Sequence, residues 1–496
     1  MRTRFAPSPT GYLHVGGLRT ALYAWLLARQ SQGQFLLRIE DTDQERFVPG
    51  AVESILKCLE WSGLAPDEGV ILHEGGVAQR GSHGPYIQSE RKDTYREYAL
   101  QLIQNGHAYY AFDTKEELDR MREEELARGN PAPKYDWSVR MRMKNSLSLP
   151  EEETRRRLDA GEPYVIRFLV PSRRTIEFDD DIRGKVRFES NTLDDQVLLK
   201  SDGHATYHLA HVVDDRHMQI DVVIRGEEWL PSLPKHLLLF EAFGWPAPRY
   251  AHVSLLLNKD RSKLSKRTGS VSVEEYIAKG YLPEALLNFI AMLGWNAGTT
   301  QELFTVDEMI AQFSLERVQK AGAIFDTEKL DWLQGQWMRK MEHADFAQRI
   351  LPLVTERHRS ASEDTRFAER AALIQDRITF FHEAPDMLSF FYEEPAVAPA
   401  LLASEKQKVS PEMLPAILDA LIALSEAVPE EAWSHEQLLA AAKALIAERG
   451  WKLGQLLWPM RAALTGREFS PGAVEVAGAL GKATTLRRLR AARAAV

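Results

Sequence analysis

Cysteine is almost missing from this sequence, which has only Cys58 among its 496 residues. A single cysteine excludes an intrachain disulfide and any cysteine-rich zinc site. Long apolar runs are missing too: no stretch reaches the ~20 residues that cross a bilayer as a helix, and the first residues lack the pattern of a signal peptide. We therefore expect a cytoplasmic protein with no membrane partner.

Positive charge is also scarce, with 62 Lys and Arg against 71 Asp and Glu and a formal net charge of −9. This balance by itself argues against a nucleic-acid partner, but the distribution of charge matters more than its sum. Residues 450–496 contain eight Lys or Arg against two Glu. Such a basic segment is either a local site for a polyanion or the solvated face of a helix. Taken alone, the charge run favours the solvated helix.

The length and composition are those of an ordinary multi-domain globular protein. The chain is longer than one hydrophobic core usually serves, and 44% of its residues are hydrophobic and 27% charged. No low-complexity segment or fixed-period repeat interrupts it. Several folded domains are therefore expected.

A glycine-rich stretch, PSPTGYLHVGG at residues 7–17, carries the first chemical signal. A strand-like run at residues 3–6 leads into it, and an apolar stripe at helical spacing leads out: Leu18, Ala21, Leu22, Trp25 and Leu26. Between a strand and a helix, the backbone N–H groups of Gly16 and Gly17 can face a phosphate, and His14 can donate hydrogen bonds to phosphate oxygens. The loop alone does not exclude a plain glycine-rich turn.

A basic loop, KLSKR at residues 263–267, carries the second signal. It directly follows an apolar run at residues 253–257 that predicts a buried strand. Lys263 and Lys266 could bring two ammonium groups to a triphosphate as charge develops on the leaving pyrophosphate. In isolation, such a string would more often be a surface patch.

The two motifs resemble the two signatures of class I aminoacyl-tRNA synthetases, the HIGH type and the KMSKS type. Between them stand LLRIEDTDQER at residues 36–46, KSDGHATYHLAHVVDD at 200–215 and VIRGEEWL at 223–230. In this order and spacing the set is similar to the bacterial glutamyl-tRNA synthetases. The resemblance covers nearly the whole chain and is strong through about Trp337. Gly17 replaces the second histidine of the generic signature, as is usual in the glutamyl branch.

The resemblance implies an enzyme that ligates L-glutamate to tRNA-Glu. ATP, accompanied by Mg²⁺ held mostly by phosphates and water, would be attacked at its α-phosphorus by the glutamate α-carboxylate. This step gives glutamyl-adenylate and pyrophosphate, and the tRNA ribose then takes the acyl group and releases AMP. No protein nucleophile is needed, so positioning and electrostatics carry most of the rate. A monomer is expected.

The same resemblance assigns roles to individual residues. For glutamate it implies Arg4, Ser8, Glu40, Tyr207 and Arg225; for ATP it implies His14, Gly16, Gly17, Glu228, Trp229, Lys263 and Lys266. His14, Lys263 and Lys266 are the expected catalytic groups, and Arg461 is the expected tRNA contact. No residue is expected to bind a metal.

Structural alternatives accompany several of these assignments. Arg4 and Arg225 could be ion-pair partners of nearby carboxylates, and Tyr207 could be a packed core residue. Glu228 and Trp229 could be a helix-start carboxylate and a packed aromatic. For Asp41 and Asp43 we favour helix capping and pairing with Arg38 and Arg46. The role of His211 is open.

The predicted fold class is α/β, with a Rossmann-like parallel-sheet catalytic domain, an α+β insertion, and all-helical stem-contact and anticodon-binding domains. The predicted domains are 1–105 and 194–258 for the two halves of the catalytic fold, 106–193 for the acceptor-end insertion, 259–340 for the stem-contact region with the KLSKR loop, and 341–496 for the anticodon-binding region. The nucleotide fold is expected to resume with a strand at 197–200. Some relatives hold zinc in the insertion through cysteines; residues 106–193 contain none, so we expect no zinc.

Two kinds of alternative function remain at this point. A small-molecule nucleotidylyltransferase shares the histidine-bearing glycine turn, but it would not need a helical third of the chain. A catalytically dead RNA-binding paralogue would be expected to have lost His14, Lys263 or Lys266. A non-discriminating synthetase that also glutamylates tRNA-Gln is the alternative within the family, and the sequence leaves it open.

Overall fold

The computed structural model describes residues 1–264 and 271–496. Lys266 therefore lies outside the described residues. The chain forms two compact units, one of Met1–Lys279 with Pro283–Thr327 and one of Gly280–Leu282 with Glu328–Val496. In the described ranges, every helix is too short or too polar to cross a membrane.

The first unit contains all the named strands. They are β1 Arg2–Phe5, β2 Gln34–Leu37, β3 Glu68–His73, β4 Gly76–Arg80, β5 Ala108–Ala111, β6 Val165–Phe168, β7 Thr175–Asp180, β8 Gly184–Glu189, β9 Val197–Leu199, β10 Val222–Gly226, β11 Arg249–Val253, β12 Leu256–Leu257 and β13 Ala323–Ile324. Its helices are α1 Val15–Gln30, α2 Ala51–Trp61, α3 Lys92–Gln104, α4 Lys115–Ala127, α5 Glu151–Asp159, α6 Tyr207–His217, α7 Leu233–Ala242, α8 Val273–Ala278, α9 Pro283–Met292 and α10 Val306–Gln312.

A six-stranded sheet in the order β11-β10-β1-β2-β3-β4 forms the centre of this unit. Its strands are parallel except for the antiparallel pair β3–β4. The apolar stripe predicted after the glycine-rich loop is buried on α1 as expected. Because β1 is central and α1 follows it directly, the loop at residues 7–14 opens at the carboxyl edge of the sheet, where ligands bind in parallel α/β folds.

The insertion forms two small antiparallel sheets, one of β5, β6 and β9 and one of β7 and β8. The strand predicted at residues 197–200 is present as β9, but its predicted place in the nucleotide fold was wrong. Ile166 in β6 pairs with Leu199 in β9, so this strand belongs to the sheet of the insertion. A three-residue apolar run carries no signal for which sheet it joins, and only the fold supplies the partner.

The strand predicted at residues 253–257 is divided into β11 and β12. At the break, the Ser254 carbonyl accepts a hydrogen bond from the Arg19 guanidinium, and the Leu255 N–H donates to Glu227 Oε1 at 2.8 Å. Side chains thus satisfy backbone groups that a continuous strand would pair with a neighbour. The predicted helix after Arg225 begins as a 3-10 helix, Glu227–Ser232, and becomes α7 only after Pro231.

The regular elements of the second unit are helices in the part of the chain that the structure describes. They are α11 Thr327–Lys340, α12 His343–Arg357, α13 Phe367–Ala372, α14 Ala384–Met387, α15 Ser389–Tyr392, α16 Pro399–Leu402, α17 Leu414–Ala427, α18 His435–Arg449, α19 Leu453–Thr465, α20 Ala473–Leu480 and α21 Lys482–Ala494. Helices α17 to α21 share an apolar core rich in Leu and Ala. The predicted fold class, a parallel-sheet domain with an α+β insertion and a helical remainder, is confirmed. The predicted domain boundaries stay predictions.

Candidate active site

A cavity of about 620 Å³ opens where β1, β10 and β11 end and α1 begins. This volume suits a small organic ligand. Its lining includes most of the residues predicted from the sequence: Arg4, Ser8, His14, Gly16, Gly17, Glu40, Tyr207, Arg225, Glu228, Trp229 and Lys263. Segments from residue 4 to residue 263 therefore meet in one place. Arg461 belongs to the second unit, and Lys266 lies outside the described residues.

The sequence predicts that the N–H groups of Gly16 and Gly17 both face a phosphate, but at the start of α1 the Gly16 N–H is already used. His14 is the N-cap of α1, and its Nδ1 accepts a hydrogen bond from the Gly16 N–H at 2.9 Å. The Val15 N–H donates to the Val271 carbonyl. Gly16 and Val15 thus already have acceptors for their N–H groups, which leaves the Gly17 N–H, among the described residues, as the donor of that turn. Since Nδ1 accepts, the neutral His14 ring carries its hydrogen on Nε2.

Arg225 is the penultimate residue of β10 and is 5% exposed. Its Nε donates to His252 Nε2 at 3.0 Å, its Nη1 donates to the Tyr207 hydroxyl at 2.9 Å, and its guanidinium lies over the Tyr250 ring. Within the described ranges no carboxylate oxygen lies within ion-pair distance of it. A buried guanidinium with only neutral partners is poised for an anionic ligand, since an unpaired buried charge is costly.

Arg4 and Glu40 are held by a buried ionic network whose centre is Arg38. Arg38 Nη2 donates to Glu40 Oε1 at 2.9 Å and Nη1 donates to Asp215 Oδ1 at 2.8 Å. Arg4 Nε also donates to Asp215 Oδ1, at 3.3 Å. Burial raises the pKa of Glu40, although Arg38 and Arg4 oppose the shift. The sequence left open a pairing of Arg4 with Glu40, Asp41 or Glu228; the fold gives it Asp215 instead.

Neutral histidines surround this part of the cavity. Burial lowers the pKa of His208 to about 4 and lowers the pKa of His211 and His236 well below the ordinary value. His211 is fully buried, with Nδ1 3.3 Å from Asp215 Oδ2 and its ring stacked on Tyr207. The positive charge around this part of the cavity therefore comes from arginines, because these rings are uncharged at neutral pH.

Glu228 and Trp229 lie on the 3-10 helix that directly follows β10. Both are exposed, and the Trp229 ring packs against Tyr207 with centroids 4.5 Å apart. The Glu228 carboxylate folds over Gly226, where any Cβ would collide with it. Lys263 is exposed at the rim and forms an isolated bridge with Leu257. These positions leave all three side chains available to a ligand in the cavity.

Asp43 and Asp41 have protein partners close by. Asp43 pairs with Arg46 at 2.6 Å, the ion pair expected from the sequence, while Asp41 accepts a hydrogen bond from the Ser89 N–H. Their structural role was the favoured interpretation. Both contacts fit a structural role, but the expected capping of the next helix was wrong, because the N-cap of α2 is Gly50 and no side chain in the described ranges caps it.

Several residues that shape the site were not singled out by the sequence. Arg38 appeared only as a possible partner of acids, although it is the fully buried centre of the network. Asp215 was noted only within a histidine-rich stretch, and His252 and Asp180 were not noticed. The local sequence has no signal for such pairs, because Asp215 is 211 residues from Arg4 and Asp180 is 72 residues from His252.

Comparison with known proteins identifies the family of the chain. A profile described as tRNA synthetases class I (E and Q), catalytic domain, matches residues 1–332, and an anticodon-binding-domain profile matches residues 345–493. Glutamate–tRNA ligases of Prosthecochloris aestuarii and Alkaliphilus metalliredigens are 46% and 43% identical, and the alignments cover 99% of this chain and 97% and 98% of theirs. The chain belongs to the glutamate–tRNA ligases, a class I tRNA synthetase family.

Solved structures agree with this family assignment over the whole length. A glutamate–tRNA ligase from Elizabethkingia meningosepticum, crystallised in complex with its amino acid, aligns with a TM-score of 0.85 at 40% identity, covering 100% of this chain and 99% of its own. A glutamate–tRNA synthetase from Elizabethkingia anophelis gives a TM-score of 0.84 at 40% identity, with the same coverage. The family predicted from the motifs is confirmed. The anticodon-binding match explains the helical region that a small-molecule nucleotidylyltransferase would not need.

Proposed function

We propose that the enzyme joins L-glutamate to tRNA-Glu through a glutamyl-adenylate, with ATP as the energy source and AMP and pyrophosphate as products. The observation that carries this proposal is the single cavity in which residues of both class I signatures meet Arg225, a buried cation paired with no acid in the described chain. Such a cation fits the side-chain carboxylate of glutamate. A guanidinium can bind it with two parallel hydrogen bonds.

Glutamate would be held at three points. Arg225 and Arg4 supply cationic donors for its carboxylates, with Tyr207 and Ser8 as neutral partners, and Glu40 takes the α-amino group. Burial raises the pKa of Glu40, so an incoming ammonium stabilises the carboxylate form that the site needs. Arg4 is already paired with Asp215, whereas the partners of Arg225 in residues 1–264 and 271–496 are neutral. We therefore assign the stronger share of recognition to Arg225.

ATP would lie across the start of α1, with Glu228 and Trp229 contacting ribose and adenine. The neutral His14 ring, Lys263 and Lys266 would stabilise the charge that grows on the phosphates during in-line attack. Residues 1–264 and 271–496 offer no group of three or more His, Cys, Asp or Glu arranged for a metal ion. Mg²⁺ would therefore enter on ATP, held by phosphate oxygens and water.

tRNA would reach the second unit through Arg461. This side chain lies over the Trp458 ring at 4.6 Å, and within the described ranges it has no carboxylate partner. A guanidinium fixed by an aromatic ring can stack on a base or bind a phosphate. We further propose that the protein is monomeric, cytoplasmic and free of zinc.

Aminoacylation assays with purified tRNA-Glu and tRNA-Gln test the function directly. Charging of tRNA-Glu with glutamate, dependent on ATP, is the expected result, and failure to charge it would overturn the proposal. Charging of tRNA-Gln at a comparable rate would make the enzyme non-discriminating. Pyrophosphate exchange with and without tRNA-Glu measures whether the first half-reaction depends on bound tRNA, as expected for the family.

A further inference from the structure

A buried chain of three side chains leads from the insertion to the substrate cavity. Asp180 Oδ2 lies 2.5 Å from His252 Nδ1, and His252 Nε2 lies 3.0 Å from Arg225 Nε. The side chains of Asp180 and His252 are both fully buried. Neither residue lines the cavity itself, so any effect on a ligand must pass through Arg225.

The hydrogen bonds fix which ring nitrogen of His252 carries the hydrogen. Arg225 Nε is always a donor, so His252 Nε2 must accept and cannot carry a hydrogen. The hydrogen is then on Nδ1 and is donated to Asp180 Oδ2. An acid that selects one histidine tautomer is a known way of orienting a functional group.

Asp180 is held in place by backbone groups as well as by the His252 ring. It is the last residue of β7, in the hairpin β7–β8 of the insertion. Its Oδ1 accepts hydrogen bonds from the N–H groups of Ile182, Arg183 and His252, at 3.0, 2.8 and 3.2 Å. The hairpin is also fastened to the site because Arg183 pairs with Glu227 and donates to the His252 carbonyl.

We infer that Asp180 and His252 are positioning residues that hold the Arg225 guanidinium at the angle required by the glutamate carboxylate. The inference rests on the proposed function, because it assigns Arg225 to glutamate. It also gives the insertion a part in amino-acid recognition: the position of the β7–β8 hairpin sets the orientation of the cation that reads the substrate.

Asp180→Asn is the most selective test. Asparagine keeps an oxygen for the three backbone N–H groups, but it places an NH₂ donor opposite His252 Nδ1. The ring must then carry its hydrogen on Nε2, where it faces the Arg225 Nε–H. The KM for glutamate in tRNA-dependent pyrophosphate exchange should rise roughly tenfold or more, as expected for loss of a hydrogen bond to a charged group. Glutamate affinity measured by calorimetry should fall by the same factor. The KM for ATP should change less than about twofold, because ATP does not contact Arg225 in the proposed site.

Two substitutions of His252 keep the test decisive if Asp180→Asn does not fold. His252→Gln returns an amide oxygen near the Nε2 position and should retain glutamate affinity within about threefold, whereas His252→Leu leaves Arg225 Nε without an acceptor and should lose roughly tenfold. Adding Asp180→Asn to His252→Gln should cost little more, because no tautomer remains to be selected. Such non-additivity distinguishes orientation from general destabilisation.

Asp195→Asn is the matched control. Asp195 is another fully buried acid in the same region, with Tyr109, Arg140 and the Val170 N–H as partners. It should lower thermal stability without changing glutamate affinity. The inference is overturned if Asp180→Asn leaves glutamate affinity within twofold, or weakens glutamate and ATP equally. If the wild-type protein itself neither binds glutamate nor charges tRNA-Glu, the proposed function fails, and this inference fails with it.

Discussion

The cavity and the basic C-terminal segment hold their arginines in opposite ways. Around the cavity, Arg4, Arg38 and Arg225 are almost fully buried and fixed by several partners each. On α21, by contrast, Arg490 is exposed and Arg493 half-buried, and they pair with the exposed acids Glu426 and Asp419. Both sets are basic in the sequence, yet only the first is built into the interior.

Buried arginines like those of the cavity suit recognition of a small molecule, whereas surface arginines like Arg490 and Arg493 neutralise nearby acids. A buried guanidinium has few allowed positions, so it can measure the geometry of a carboxylate. Exposed pairs are screened by solvent and salt and contribute little to stability or recognition. The basic composition of residues 450–496 is therefore a weak indicator of a binding site. The contacts of Arg490 and Arg493 fit the solvated helix that the charge run alone favoured. Arg488 on the same helix does not, because it is buried and its guanidinium donates to the Leu464 and Glu393 carbonyls.

Arg461 also differs from the surface pairs of Arg490 and Arg493. It is half-buried against Trp458 rather than paired with an acid in the described chain. Desolvation by burial lowers the pKa of its guanidinium, with Arg377 contributing in the same direction. Arg461 therefore resembles the cavity arginines more than Arg490 and Arg493 do.

Arg225→Ala should have the largest effect on function. The glutamate carboxylate would enter a buried site without its cation, and loss of one partner of a desolvated pair typically costs about 2–5 kcal/mol. Steady-state kinetics should show a large loss in kcat/KM for glutamate with little change in the KM for ATP. Arg225→Lys is the matched variant and should restore kcat/KM for glutamate only in part, because an ammonium group lacks the two-donor geometry of a guanidinium. A loss in kcat/KM for glutamate that corresponds to less than roughly 1 kcal/mol would contradict the assignment of Arg225 to glutamate binding.

Lys266→Ala should slow adenylate formation by about 10²–10³-fold, the range found for groups that stabilise developing charge. Affinity for tRNA should stay nearly unchanged, because the charge is needed mainly in the transition state. Pyrophosphate exchange and tRNA binding by fluorescence anisotropy separate the two effects. Equal losses in both would instead make the KLSKR loop a tRNA contact.

Arg461→Ala should weaken binding of tRNA-Glu by about 1–3 kcal/mol if the side chain reads a base, or reduce the salt dependence of binding if it contacts a phosphate. Arg490→Ala is the matched control from the same unit, because its guanidinium already pairs with Glu426. Its effect should stay below about 0.5 kcal/mol. Binding titrations at two salt concentrations make the comparison. Equal losses of tRNA-Glu affinity in the two variants would contradict a specific role for Arg461 in tRNA binding.

Acid should destabilise the first unit through its buried histidines. Burial lowers the pKa of His208 to about 4, so between pH 6.5 and 4 the unfolded chain binds more protons than the folded one, and stability falls as the pH falls. His208→Gln should therefore reduce the loss of stability between pH 7 and pH 5 by roughly 1–2 kcal/mol. Calorimetric unfolding of both proteins at the two pH values provides the test. An unchanged pH dependence would mean that His208 titrates alike in both states.

Metal removal should have the smallest effect. Metal analysis of the purified protein should find no stoichiometric zinc, because the cysteine ligands seen in some relatives are missing from the insertion. Treatment with a chelator, followed by restoration of Mg²⁺, should leave charging activity unchanged. One tightly held zinc ion per chain would contradict this interpretation of the insertion.

The elements that the sequence predicted well depend on short-range rules. The loop at residues 7–17, the buried stripe of α1 and the helical second unit follow from turn residues and apolar periodicity, and all are present. The errors occur where a short apolar run could join more than one partner. β9 pairs with β6 instead of the central sheet, and the strand predicted at residues 253–257 is interrupted where Arg19 and Glu227 bond its backbone.

The sequence by itself determined the family, the α/β class and the order of the motifs, because each motif encodes a local backbone shape together with a reactive side chain. Only the tertiary structure decided which charges are paired. Arg4 donates a hydrogen bond to Asp215, and Arg225 donates one to His252, whose ring is held in turn by Asp180. The physical reason is desolvation: a buried charge must be satisfied by whatever groups the fold brings within about 3 Å, and those groups can come from any distance along the chain.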